Sequence, residues 1–319
     1  MKKTEVYFAS RDGESKIHAL RYEPENEALV DGKPVAVLQI IHGMAEYIER
    51  YEETARFFTD RGFVVTGDDH LGHGKTVTEG GTYGYFCKRD PATVVVRDVH
   101  RLKKMTQELY PGVPYFILGH SMGSFILRNY ICRYGTGIQG AIIMGTGAQP
   151  PVVLGFGKAV TAVQNFFLGG KHEAKMVNAM AFGSYNKGFK DLRTVNDWLS
   201  RDEANVDKYN ADPLCGFKFT VNGFRTVFEL ISRVQNRENL EKVPKELPLF
   251  WVAGADDPVG NSGEGVKLAY HSLEELGMKD MTMKLYDGDR HEILNEADKD
   301  TVMQDIYSWI MPRISGKTL

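Results

Sequence analysis

The sequence predicts an α/β protein in which a mostly parallel central sheet, flanked by helices, is interrupted by an inserted helical segment. Near-continuous apolar runs, typical of strands covered on both faces, alternate with amphipathic stretches in the first half of the chain. This alternation stops over residues 149–243, where helical patterns follow one another without intervening strands, and then resumes. We therefore expect a core domain made of residues 1–148 and 244–319, with residues 149–243 laid over it as a helical cap, or lid.

The expected order of elements follows from the same patterns. Two runs of strand-forming residues, 5–10 and 16–22, are separated by a polar turn and predict an N-terminal hairpin. The first buried strand is expected at 35–41, where nearly every residue is apolar. The later core elements are expected as a helix at 50–61, a strand at 63–67, a helix at 94–109, a strand at 115–118, a helix at 122–134, a strand at 140–144, a strand at 247–253, a helix at 264–276, a strand at 282–286 and a closing helix at 293–311.

Composition excludes some functional classes. The 319 residues are 42% hydrophobic and 25% charged, which is typical of a globular protein with a substantial core. The net charge of -3, without a concentrated basic run, argues against nucleic acid as a partner. The three cysteines, Cys87, Cys132 and Cys215, are widely spaced and indicate free thiols in a reducing compartment. Because the first residues also lack the apolar stretch of a secretory signal, we expect a cytoplasmic enzyme.

A Gly-x-Ser-x-Gly motif occupies residues 119–123, directly after a predicted strand and before a predicted helix. In this setting the glycines allow a strained turn that exposes Ser121 at a helix N-terminus, where the helix dipole favours a developing alkoxide. The motif alone would also fit an ordinary glycine-rich connection. The strand-turn-helix context instead predicts that Ser121 is a catalytic nucleophile.

A serine nucleophile needs a base and a carboxylate that orients the base. The first predicted strand after the insertion leads into Asp256 and Asp257, and the next leads into a loop that carries His291. The chain order Ser, Asp, His is the one expected when the nucleophile lies on such a strand-turn-helix element. We favour His291 among the nine histidines by its position after a strand, and Asp257 over Asp256 because it lies in the turn directly before Pro258.

Acyl transfer also needs N–H donors aimed at the oxyanion. Residues 42–46 follow the first buried strand and place the backbone N–H of Met44 near the expected site. Met122, directly after the nucleophile, supplies a second N–H.

The substrate is expected to contact residues next to these groups. Gly43, Glu46 and His120 adjoin the oxyanion loop and the nucleophile, and Phe156 and Val160 belong to the cap.

The apolar segment at 152–168 has two interpretations. It contains Lys158, Gln164 and Asn165 and is expected to be too short and too polar to span a bilayer. We favour packing of this segment onto the core over transient membrane contact. In either case Val163 and Phe167, with the two cap residues above, should lie close to the active site.

Two other patterns are set aside. Gly-Lys-Thr at 74–76 resembles the end of a phosphate-binding loop, but Asp69 stands where the loop needs its first glycine. Asp68, Asp69, His70 and His73 do not have the spacing of a zinc site, so we expect a polar loop at the edge of the pocket and no metal.

Taken together, these residues resemble the monoacylglycerol lipase and lysophospholipase group of the α/β-hydrolase fold, which belongs with the serine aminopeptidase S33-type hydrolases. The segments that carry the resemblance are His42-Gly43-Met44-Ala45-Glu46, Arg50-Tyr51-Glu52-Glu53, Asp69-His70-Leu71-Gly72-His73-Gly74, Gly119-His120-Ser121-Met122-Gly123, Val206-Asp207-Lys208-Tyr209-Asn210-Ala211-Asp212-Pro213-Leu214-Cys215, Gly254-Ala255-Asp256-Asp257 and Arg290-His291-Glu292. The resemblance implies a lid that gates a hydrophobic acyl tunnel above the triad and the two oxyanion donors. Met44 and Tyr47 depart from the residues common in that group and bear on substrate preference.

The sequence thus predicts hydrolysis of a carboxylic ester, with a monoacylglycerol or lysophospholipid as the expected substrate and no cofactor. Two alternatives remain open: an aminopeptidase of the same superfamily, for which Glu46 or acidic residues of the cap could bind the substrate amine, and a non-catalytic protein that binds a small apolar ligand in a lidded pocket. The sequence does not indicate an oligomeric state.

Overall fold

The computed structural model describes residues 1–314 and contains an eight-stranded, mostly parallel sheet. The strands are β1 (Lys2–Ala9), β2 (Lys16–Glu23), β3 (Val37–Ile41), β4 (Val64–Asp68), β5 (Tyr115–His120), β6 (Gly140–Met144), β7 (Leu249–Gly254) and β8 (Met281–Tyr286). Their order across the sheet is β1-β2-β4-β3-β5-β6-β7-β8. The N-terminal hairpin and the β2–β4 pair are antiparallel, and all later pairs are parallel. The predicted α/β class and the predicted hairpin are therefore confirmed.

Some of the helices flank the sheet, and others lie in the segment between β6 and β7. The helices are α1 (Glu52–Thr59), α2 (Pro91–Leu109), α3 (Met122–Tyr134), α4 (Pro151–Leu168), α5 (Lys175–Phe182), α6 (Glu203–Ala211), α7 (Val221–Val234), α8 (Arg237–Leu240), α9 (Glu264–Glu274) and α10 (Lys299–Ile314). Alternate strand residues feed two apolar cores. Helices α2, α3 and α9 contribute to the core on one face, and α1 and α10 to the core on the other.

The central strands are buried on both faces, and most of their residues are apolar. All five residues of β3 are buried, with Val37 and Ile41 in one core and Leu38 and Ile40 in the other. The loop that follows each of these strands lies at the carboxyl edge of the sheet. In parallel sheets the loops after several strands meet at that edge, where ligands bind.

Helices α4 to α8 lie between β6 and β7 in the chain, and α7 packs against both α3 and α4. We propose that residues 149–243 form a cap over a core made of residues 1–148 and 244–319, and "cap" denotes that segment below.

Some helix boundaries expected from the sequence are wrong, and α2, for example, begins at Pro91 rather than at 94. The closing helix begins at Lys299 rather than at 293, because Ile293 and Leu294 are buried in a turn and the Glu296 carboxylate accepts the backbone N–H groups of Arg201 and Arg290. The helix expected from residue 50 begins at Glu52 and is preceded by a 3-10 turn.

Candidate active site

Ser121 lies in a strained turn between β5 and α3. Its φ of 54° and ψ of -121° are unusual for a residue with a side chain. The flanking glycines permit this turn: a Cβ at Gly119 would collide with the carbonyl of Gly123, and a Cβ at Gly123 would collide with the carbonyl of Ile41. Close packing of α3 on the sheet therefore requires glycine at both positions, and it holds Ser121 at the helix N-terminus.

Asp257 and His291 follow the neighbouring parallel strands β7 and β8, which brings them together at the carboxyl edge. His291 Nδ1 lies 2.9 Å from Asp257 Oδ2, and both side chains are buried. The other oxygen of Asp257 accepts the N–H of Val259 at 2.8 Å. Asp256 is exposed. The structure therefore pairs His291 with Asp257, the residue favoured by its place in the turn.

A cavity of about 1550 Å³ opens beside these residues, between the carboxyl edge of the sheet and the cap. The lining includes nine of the residues expected at the site: Gly43, Met44, Glu46, His120, Ser121, Met122, Phe156, Val160 and His291. Asp257 does not line the cavity and lies behind the imidazole. Most of the remaining wall is apolar and comes from the cap.

The loop after β3 packs directly against Ser121. A Cβ at Gly43 would lie 2.6 Å from Glu46 Oε1 and 3.0 Å from Ser121 Cβ, so the loop could not approach as closely with any larger residue. Within residues 1–314 the backbone N–H of Met44 has no protein acceptor. Met122 is the first residue of α3, where backbone N–H groups have no partner within the helix.

Glu46 is buried and its carboxylate is surrounded by donors. It accepts the Gly43 N–H at 2.6 Å, the Tyr51 hydroxyl at 2.9 Å and Arg50 Nη1 at 2.8 Å, and it lies 3.1 Å from His120 Nδ1. Burial opposes ionisation, but the hydrogen bond with His120 and the charge of Arg50 together hold the pKa of Glu46 well below its usual range. Burial lowers the pKa of His120, but the hydrogen bond and charge of Glu46, together with the charge of Glu292, outweigh it and raise this pKa. Glu46 therefore braces the loop that it shares with Gly43.

Arg50 extends this network to the loop that carries the histidine. Its guanidinium forms two hydrogen bonds with the Glu292 carboxylate, at 2.7 and 2.8 Å. Glu292 also accepts Asn205 Nδ2 of α6 at 2.8 Å. The pair thus connects the loop after β3, the loop after β8 and the cap.

The structure also adds Trp198 of the cap, which the sequence analysis missed. The Trp198 ring lies 5.2 Å from the His291 ring, measured between centroids. No local motif marks the segment around Trp198. The sequence places Arg50 and Glu292 only within the motifs that carry the family resemblance. Their pairing spans 242 positions, so it produces no periodic pattern in the sequence.

The polar segment expected at the pocket edge lies elsewhere. Asp68, Asp69, His70 and His73 are all buried, and none of them lines the cavity. His70 Nδ1 lies 2.9 Å from Asp68 Oδ2, and His42 stacks on His70. The expectation is wrong because these buried side chains bond within the protein: Asp68 to His70, Asp69 to His18, and His73 to the carbonyl of Leu71.

Helix α4 corrects two expectations about residues 152–168. By length and composition it meets the requirement for a membrane-spanning helix, so it is neither too short nor too polar. Only Leu154, Gly157 and Thr161 are buried, so the helix packs through one narrow face. Val163 and Phe167 do not line the cavity, whereas Phe156 and Val160 do.

The family follows from comparison with known proteins. The family model described as "Serine aminopeptidase, S33" matches residues 32–298. The chain belongs to this family.

Among relatives of this S33 family chain, human monoglyceride lipase is 30% identical, with 88% of this chain and 84% of the human protein covered. Monoacylglycerol lipase of Mycolicibacterium smegmatis is 28% identical, with 89% of this chain and 91% of that lipase covered. The solved structure of a thermostable carboxyl esterase from Bacillus coagulans, in complex with glycerol, has a TM-score of 0.90 at 33% identity and covers 98% of this chain and 99% of the esterase. The fold is therefore the α/β-hydrolase fold.

Proposed function

We propose that this protein hydrolyses monoacylglycerols or lysophospholipids through an acyl-enzyme formed on Ser121. The reaction class is carboxylic ester hydrolysis of lipid-like substrates, which agrees with the lipases and esterases among its relatives. The observation that carries the proposal is the 2.9 Å contact between His291 and Asp257 beside a cavity that the imidazole shares with the strained serine.

In the proposed mechanism, Ser121 attacks the ester carbonyl while His291 accepts the serine proton through Nε2, since Nδ1 is held by Asp257. The backbone N–H groups of Met44 and Met122 stabilise the oxyanion. His291 then donates the proton to the leaving alcohol, and water releases the acyl group by the reverse sequence. No metal or organic cofactor takes part in these steps.

The cavity supports an acyl-chain ligand because most of its wall is apolar. We propose that Phe156 and Val160 of α4 contact the acyl chain. Gly43, Glu46 and His120 act closer to the reacting atoms: Gly43 gives the loop its close approach, and the buried Glu46–His120 pair positions the oxyanion donors.

Aminopeptidase activity is the second candidate, because the family model carries that name. An aminopeptidase needs an acidic group free to bind the substrate amine. Glu46, the cavity-lining acid expected in that role, already accepts hydrogen bonds from Gly43, Arg50 and Tyr51. The arrangement therefore favours the esterase.

We further propose that the cap makes transient contact with membranes and that the enzyme is cytoplasmic. Val152 and Phe166 of α4 are each 82% exposed and Phe167 is 75% exposed, which forms an apolar surface suited to a bilayer interface. Within residues 1–314, Cys87, Cys132 and Cys215 are free, as expected in a reducing compartment.

The proposal is tested with purified wild-type protein and Ser121→Ala on 1-octanoylglycerol, a lysophospholipid and amino-acid arylamides. Wild type should cleave the lipid esters in preference to the arylamides, and Ser121→Ala should lose about 10⁴-fold or more in turnover. A fluorophosphonate probe should label wild type and not the variant.

Near-normal turnover by Ser121→Ala would exclude this serine. Preference for arylamides would support the aminopeptidase. Failure of wild type to react with the probe or with any substrate would support a non-catalytic pocket that binds a small apolar ligand.

A further inference from the structure

The wall of the cavity beside the catalytic imidazole is an indole ring supplied by the cap. Trp198 lines the cavity, and its ring lies 5.2 Å from the His291 ring at an interplanar angle of 41°. Against the indole, Phe182 stacks at 6.0 Å and Tyr185 makes an edge contact at 4.9 Å, and both also line the cavity. The indole is therefore packed against two further aromatic rings of the cap.

Trp198 is held to the loop of the histidine it covers. Arg290 Nη1 donates to the carbonyl of Asp197 at 2.6 Å, and the N–H of Glu292 donates to the carbonyl of Leu199 at 2.7 Å. The first bond joins the residue before Trp198 to the residue before His291, and the second joins the two residues that follow them. Since both residues are fixed to the same short stretch of backbone, the indole keeps its distance from the imidazole.

The chemistry of ester cleavage places the alcohol of the substrate at this wall. His291 must deliver its proton to the oxygen of the leaving alcohol, so that alcohol lies next to the imidazole. The wall formed by α4 packs on α7: a Cβ at Gly157 would lie 2.8 Å from the Phe228 ring. Phe156 and Val160 therefore belong to an α4–α7 wall, and Trp198 to the wall at the leaving group.

We infer that Trp198 sets the size of the alcohol that the enzyme accepts. A rigid, buried indole beside the imidazole leaves room for a slender alcohol such as glycerol and excludes a bulky one such as the monoacylglycerol released from a diacylglycerol. The inference rests on the proposed function and specifies the alcohol side of its substrate.

The test compares esters that share an octanoyl group and differ only in the alcohol: methyl octanoate, 1-octanoylglycerol and 1,2-dioctanoylglycerol. Trp198→Leu should raise kcat/KM for the diacylglycerol, relative to the methyl ester, by about 10-fold or more. Trp198→Phe should give a smaller rise in the same direction. The matched variant Phe156→Leu, on the α4–α7 wall, should change the dependence on acyl-chain length and leave the alcohol ratio as in wild type.

An unchanged alcohol ratio in Trp198→Leu, or a change in acyl-length preference instead, would overturn the inference. Labelling with a small fluorophosphonate separates this outcome from failure of the proposed function, because the probe needs the triad but carries no bulky alcohol. Loss of labelling in Trp198→Leu alone would mean that the indole supports His291 rather than selecting the alcohol. If that variant does not fold, Trp198→Phe and Tyr185→Leu provide the same comparison, and an unchanged ratio in both overturns the inference.

Discussion

Ser121 and Asp257 owe their places to backbone conformation more than to side-chain contacts. The positive φ of Ser121 is tolerated because both flanking glycines let α3 and the loop after β3 come close. The backbone also constrains the Asp257 side chain, since one of its oxygens accepts the N–H of Val259 and only the other faces His291. A carboxylate fixed in this way can select one imidazole tautomer.

Replacing Asp257 with asparagine is expected to lower kcat/KM for 1-octanoylglycerol by about 10⁴-fold, because the amide favours the wrong tautomer of His291. The matched variant Asp256→Asn changes the adjacent exposed carboxylate and should leave activity close to wild type. Steady-state hydrolysis measures both, and thermal melting checks that each variant is folded. A larger loss in Asp256→Asn than in Asp257→Asn would show that the assignment is reversed.

Helix α4 combines two roles along its length. Its buried positions, Leu154, Gly157 and Thr161, contact the rest of the protein, and Phe156 and Val160 face the cavity. The remaining apolar side chains are exposed. If the lipid substrate enters the cavity from a bilayer, the exposed apolar surface of α4 is explained as the part of the protein that contacts that bilayer.

The double variant Phe166→Ser, Phe167→Ser is expected to bind phosphatidylcholine vesicles at least about 10-fold more weakly, since each buried phenylalanine contributes roughly 1.5–3 kcal/mol. Leu109→Ser, at the exposed end of α2, is the matched control and should bind as wild type. Vesicle sedimentation measures the bound fraction. Equal binding by the double variant and wild type would exclude α4 as the contact surface.

At the scale of the whole molecule, a buried carboxylate joins the N-terminal hairpin to α2. Asp98 accepts the Ser10 hydroxyl and the Arg11 N–H, each at 2.6 Å. Burial outweighs both hydrogen bonds and raises the pKa of Asp98 to about 7. The folded protein therefore binds a proton that the unfolded chain has already released between about pH 4 and 7.

The sign of the effect on stability follows from this raised pKa. Asp98 contributes stability below its unfolded pKa, and that contribution is lost as pH rises through about 7, at up to roughly 1.4 kcal/mol per pH unit. Asp98→Asn cannot ionise, so its stability relative to wild type should increase between pH 5 and 8. Urea unfolding of both proteins across this range is the measurement. A difference between them that does not change with pH would contradict the raised pKa.

Much of the core could be predicted because its signals are contiguous in the chain. The apolar run before residue 42 predicts β3, and the spacing of two glycines around Ser121 predicts the strained turn. The closing helix was placed too early because apolar Ile293 and Leu294 fit a helical period, whereas tertiary packing holds them in a turn. Apolar character indicates burial in the core but does not distinguish a turn from a helix.

The sequence by itself determined the order of strands and helices along the chain and the residues that follow each strand. Both depend on local periodicity and on glycine at turns. Only the tertiary structure decided which distant side chains meet. The choice of Asp257 as the partner of His291, the bridge from Arg50 to Glu292 and the placement of Trp198 on the imidazole depend on loops converging at one edge of the sheet. Such contacts arise from the packing of the folded chain, and their strength comes from burial, which no short segment of sequence encodes.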